Sequence, residues 1–137
     1  MPTVARILES ALYVNDTERV VAFYRDVLGL RVLDAGARLV AMDAGGSTVL
    51  LIFKSGATNQ GANTPDGWIP PHDGGGPVHL AFAVSVDELP AWEERLTGHA
   101  VTIESRVRWP GGGRSIYFRD PAGHSVELAT PGTWPTY

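Results

Sequence analysis

The chain has 137 residues, 44% of them hydrophobic and 19% charged, the length and balance of one ordered globular domain rather than a disordered or fibrous chain. Lys and Arg number 11 against 15 Asp and Glu, a net charge of -4, and no basic run supplies the stripe that a nucleic-acid backbone demands. There is no Cys, which excludes disulfides, thiolate metal sites and a cysteine nucleophile; without an N-terminal basic-then-apolar leader or a run of eighteen apolar residues, a cytoplasmic protein making no membrane or nucleic-acid contacts is expected.

In chain order, Arg6 to Val14 is apolar and β-branched enough for a strand, and Asn15-Asp16 offers helix-capping chemistry ahead of Thr17. Val20, Val21, Phe23, Tyr24, Val27 and Leu28 recur at helical spacing, and Gly29 supplies a stop, so a helix is expected over Thr17 to Leu28. Strands are expected at Leu30 to Leu33, Arg38 to Met42 and Ser47 to Phe53, completing a βαβββ order. Lys54 to Pro77, rich in Gly, Pro, Asn and Asp, reads as a long connection.

The pattern then repeats. Val78 to Val84 is strand-like, Ser85 with Glu88 has the form of a capping box, and Leu89, Trp92 and Leu96 stripe a helix that should end at Gly98, with Trp92 in the core. Strands are expected at Val101 to Val107, Ser115 to Arg119 and His124 to Ala129. The fold class is therefore α+β, with residues 1–137 forming one domain of two tandem modules, about 6–53 and 78–130, joined by the 54–77 connection. Their curved mixed sheets should enclose a central cavity.

Superposing Ala81 on Ala11 gives an internal offset of 70 residues that places His79 on Glu9, two metal-competent side chains in otherwise apolar strands. Strand alternation sets Glu9 with Ile7, Ala11 and Tyr13, His79 with Ala81 and Ala83, and Glu127 with Ser125 and Ala129. Small neighbours leave room for a metal, water and a ligand. A sheet wet on one face would instead leave the same three residues as ordinary surface groups.

Three segments, AFYRDVLGL over 22–30, VHLAFAV over 78–84 and YFRDPAGHSVEL over 117–128, together resemble the vicinal oxygen chelate superfamily of glyoxalases, bleomycin-resistance proteins and extradiol dioxygenases. The resemblance implies one divalent metal held by Glu9, His79 and Glu127, with Glu9 where a histidine is common, and a homodimer. Three ligands leave open positions, as in catalytic centres, and two carboxylates with one imidazole suit Mn, Fe, Ni or Zn. The residues Ser47 to Phe53 lack the further ligand of glyoxalase I, which disfavours that reaction, while SIYF before the Asp-Pro turn looks most like the fosfomycin-resistance branch.

The expected function is a metal-dependent lyase, isomerase, thiol transferase or dioxygenase acting on a small oxygenated substrate, with Tyr117 as the catalytic hydrogen-bond donor to a developing oxyanion. The alternative is a non-catalytic binder of a drug or metabolite of the bleomycin-resistance type. Trp68, Trp109 and Trp134 are candidates to line a pocket and His72 to reach its mouth, whereas His124 should face away from Glu127, His99 should be exposed, and Asp120 should brace its turn.

Overall fold

A computed structural model describes all residues, Met1–Tyr137, as two compact units, Met1–Gly75 and Gly76–Tyr137. In the first, β1 (Glu9–Val14), α1 (Thr17–Asp26), β2 (Arg31–Ala35), β3 (Leu39–Gly45) and β4 (Thr48–Lys54) realise the βαβββ order. The sheet order is β1-β4-β3-β2, with β1 parallel to β4 and the other pairs antiparallel. In the second unit, β7 (His79–Ala83), α2 (Leu89–Gly98), β8 (Ser105–Arg108), β9 (Arg114–Arg119) and β10 (Ser125–Ala129) repeat that topology as β7-β10-β9-β8. Each unit thus uses its helix to cross from the first strand to the rest of a mixed sheet, as the expected fold class requires.

Local chemistry accounts for the helix ends. The Asp16 carboxylate accepts from the Arg19 N–H at 3.1 Å and starts α1. At the other end Leu30 N–H donates to Tyr24 O at 3.0 Å and Gly29 N–H to Arg25 O at 3.1 Å, with Gly29 at φ 76°, the paired bonds of a glycine-terminated helix. The apolar stripe of α1 buries Val20, Val21, Phe23 and Tyr24, and the helix packs on β4. Leu12, Ile52, Leu50, Met42 and Val40 share the buried sheet face through their registers.

Four expectations need correction. The 54–77 connection is not all loop: Ala62–Thr64 (β5) and Gly67–Ile69 (β6) pair as a short antiparallel hairpin. Ser85 does not cap the second helix through a backbone N–H; its hydroxyl donates to the Glu88 carboxylate at 3.0 Å, and Val86–Glu88 forms a 3-10 turn before α2. That helix includes Gly98, and the left-handed residue that ends it is Ala100 at φ 57°, where a Cβ is disfavoured. Trp92 is half-buried, so Leu89 and Leu96 carry the helix core.

The last turn is held from inside. Asp120 is 4% exposed and His124 2%; one Asp120 oxygen accepts from Ala122 N–H at 2.9 Å and His124 N–H at 3.0 Å, and the other meets His124 Nδ1 at 2.7 Å. Asp120→Ala should lower the free energy of unfolding by about 3–5 kcal/mol, the scale for stripping one member of a buried pair, in urea denaturation. A loss below about 1 kcal/mol, the size of a single exposed contact, would show that Pro121 and Gly123 hold the turn unaided.

Candidate metal and substrate site

β7 and β10 run in parallel with His79 opposite Ser125 and Ala81 opposite Glu127, so alternation puts His79, Ser125 and Glu127 on one face. Of the three residues expected as ligands, the structure brings two together: His79 Nε2 stands 3.2 Å from Glu127 Oε1. His79 Nδ1 lies 2.9 Å from Ser125 O, a carbonyl that can only accept. The ring proton is thereby fixed on Nδ1, and the Nε2 lone pair is turned toward the carboxylate. A backbone carbonyl orienting an imidazole in this way is the usual support of a metal-binding histidine.

Glu127 is 6% exposed. Burying a carboxylate is costly unless it is paired and hydrogen-bonded, and here the partners are specific. Ser115 donates its hydroxyl to Glu127 Oε2, and Trp109 Nε1–H donates to Ser115 Oγ at 2.8 Å. Position 117 lies opposite Glu127 in the β9–β10 ladder, and the Tyr117 ring stacks on His79 with centroids 6.1 Å apart. Burial, then the nearby Glu127 carboxylate, raises the Tyr117 phenol above its ordinary value of 10.0. Tyr117 therefore holds its proton at neutral pH and is a hydrogen-bond donor at the edge of the site.

Glu9 opens β1 of the first unit and is exposed. It pairs with Val49 of β4 and lines a cavity of about 410 Å³ together with Ala11, Arg38, Leu51, Phe53 and His72. Neither unit by itself gathers three His, Asp or Glu side chains into a metal-binding group. The roles of Ser115 and Trp109 escaped the sequence reading, although parity already set Ser115 on the face of Tyr117. Of the tryptophans named as pocket candidates, Trp109 reaches the site, whereas Trp68 and Trp134 are 57% and 70% exposed.

The model of the Glyoxalase/Bleomycin resistance protein/Dioxygenase superfamily matches residues 5–128. Among curated proteins, the metallothiol transferase FosB of Lysinibacillus sphaericus (strain C3-41) is 31% identical over 129 residues, covering 93% of this chain and 84% of that one. FosB of Bacillus licheniformis is 43% identical over 54 residues, a stretch of 39% of this chain and 35% of that protein. Among solved structures, lactoylglutathione lyase from Agrobacterium tumefaciens is 34% identical with a TM-score of 0.86, covering 98% of this chain and 99% of that one.

The causes acting on Tyr117 can be separated experimentally. Glu127→Gln should move the phenol pKa down toward 10.0 without restoring it fully, because burial remains. Absorbance titration at alkaline pH, with Tyr117→Phe to identify the step, reads this directly. An unchanged pKa in Glu127→Gln would place the cause in burial alone.

Proposed function

We propose, for a chain that belongs to the Glyoxalase/Bleomycin resistance protein/Dioxygenase superfamily, that it is a divalent-metal-dependent enzyme that joins a thiol to a small oxygenated substrate. The observation that carries the reading is the His79–Glu127 pair. Its imidazole is oriented by a backbone carbonyl, and its buried carboxylate has a hydroxyl on one oxygen and an imidazole lone pair facing the other. Two lone pairs facing each other at 3.2 Å are a poor arrangement for neutral imidazole and carboxylate by themselves and a good one around a cation.

His79 and Glu127 would hold the metal, with Glu9 as the third ligand, contributed by a first unit of this chain or of a second copy in a homodimer. When bound, a divalent ion supplies Lewis acidity to a substrate oxygen and leaves coordination positions open for it. The chain's own residues do the rest. Ser115, backed by Trp109, keeps Glu127 ionised and oriented, and the protonated phenol of Tyr117 is placed to donate a hydrogen bond where negative charge develops. Since the chain has no cysteine, the thiol is a co-substrate.

Thiol transfer is favoured over the lyase reaction by two observations. FosB, a relative matched over 93% of this chain, is named for metal-assisted thiol transfer. In addition β4, Thr48–Lys54, carries no carboxylate, imidazole or amide to serve as a fourth ligand.

Elemental analysis of untagged protein loaded with Mn²⁺ or Zn²⁺ should find about one ion per chain, as a three-ligand centre requires. Glu127→Ala should lose that ion while keeping the far-UV spectrum of the parent, and Glu9→Gln should weaken it. Sedimentation should show a dimer. Metal content unchanged in Glu127→Ala would refute the site, and a metal-free parent that binds aromatic drugs would favour the sequestering alternative. With a thiol and an epoxide as test substrates, Tyr117→Phe should lower kcat about 10²-fold or more, the usual contribution of an oxyanion donor, with little change in KM.

A further inference from the structure

The cavity of the first unit has a chemistry that the proposed metal set does not explain. Glu9 and Ala11 of β1 and Leu51 and Phe53 of β4 fall on one face by register, Glu9 opposite Val49 and Ala11 opposite Leu51, and together they wall a space of about 410 Å³. Most of that wall is apolar. Its one cation is Arg38, at the entry to β3, half-buried and paired with no carboxylate. Arg25, Arg31, Arg106 and Arg119 all have carboxylate partners within 3.2 Å. A guanidinium drawn from water against apolar surface without a counter-charge has an unmet electrostatic demand.

The opposite rim is rigidly built around His72. Tyr13 Oη lies 2.5 Å from His72 Nδ1, the Tyr13 ring stacks on Phe53 at 5.6 Å, and the His72 ring meets Phe53 edge-on at 4.9 Å. The backbone is tied as well, since His72 N–H donates to Thr58 O at 3.1 Å and the Thr58 hydroxyl donates to His72 O. A Cβ at Gly74 would come within 2.7 Å of the Tyr13 ring, so the segment after β6 is seated closely on that side chain. Burial and the neighbouring Asp73 raise the Tyr13 phenol above 10.0, so it donates to Nδ1. The His72 ring proton then sits on Nε2, making His72 a second donor in the wall.

We propose that this cavity binds a small organic anion whose carboxylate or phosphonate head pairs with Arg38 and whose apolar or aromatic body lies on Ala11, Leu51 and Phe53. Because Glu9 lines the same cavity, the inference names a substrate class for the proposed enzyme and rests on that reading only for placing the anion beside the metal. Glu9 repels an anion until a cation neutralises it, so metal and anion should bind with positive coupling.

Phenylphosphonate, with benzyl alcohol as the neutral control, is the probe, titrated into Mn²⁺-loaded protein by calorimetry and into the Zn²⁺-loaded form by amide-shift NMR. Phenylphosphonate should bind at least about tenfold more tightly than benzyl alcohol, the worth of one charge-assisted contact, with the largest shifts at Leu51 and Phe53. Arg38→Gln should abolish that preference with metal stoichiometry intact, and Arg38→Lys should keep part of it. Parent-like binding by Arg38→Gln, shifts centred elsewhere, or no saturation at millimolar probe would overturn the proposal. Anion binding that survives in a parent holding no metal would sink the metal reading and leave this one standing.

Discussion

The carboxylate of Glu127 is the constraint around which the second unit is organised. A charged group removed almost wholly from water must find compensating donors or cations, and the shortfall for an isolated ion is several kcal/mol. The central position of β10 creates this problem, since β7 and β9 flank it on both sides and leave no path to solvent along the sheet. Its neighbours answer it: Ser115 across the ladder, Trp109 behind Ser115, and the imidazole of His79 from the parallel strand. An all-apolar β10 would pack as well or better, so stability alone does not call for a glutamate there. The cost makes sense when the carboxylate faces a cation.

His79 shows how the fold prepares that arrangement without distorting the backbone. The parallel register that puts Ser125 opposite His79 also brings its carbonyl to Nδ1. One hydrogen bond therefore sets both tautomer and ring direction, and the stack with Tyr117 limits rotation about the remaining torsion. The same desolvation that makes Glu127 demanding keeps the Tyr117 phenol protonated, so an acceptor and a donor of fixed protonation stand side by side.

Much of this was legible in the sequence because it depends on period and order. Alternation of two placed Glu127, His79 and Glu9 on the faces they occupy, helical spacing found α1, and the 70-residue offset exposed the repeated module. What was not legible depends on torsions and on side chains that meet across distance in the chain. Ser85-x-x-Glu88 satisfies the pattern of a capping box, yet the two side chains bond to each other and a 3-10 turn takes their place. The β5–β6 hairpin lies in a stretch whose Gly, Pro and Asn read as loop, because two three-residue strands give too little alternation to count. The links from Trp109 to Ser115 and from Tyr13 to His72 carry no local signature. The second spans 59 residues and needs the turn back after β6 to exist at all.

Comparing the two modules at equivalent places shows a division of labour that neither sequence motif reveals. Two residues past the partner of His79, β10 carries Glu127; two residues past the partner of Glu9, β4 carries Leu51. Across the next ladder Glu127 faces Tyr117, and Leu51 faces Ala41. The second unit has thus spent its concave strand face on polar groups with fixed protonation, while the first has kept one carboxylate and filled the rest with apolar and aromatic side chains beside a lone cation. A duplicated fold whose halves were interchangeable would place equal ligands at equal positions. Here the repeat retains only the first-strand ligand in common, so the first unit has no means of closing a metal site by itself, and its surplus of apolar surface is better matched to the body of a substrate than to an ion.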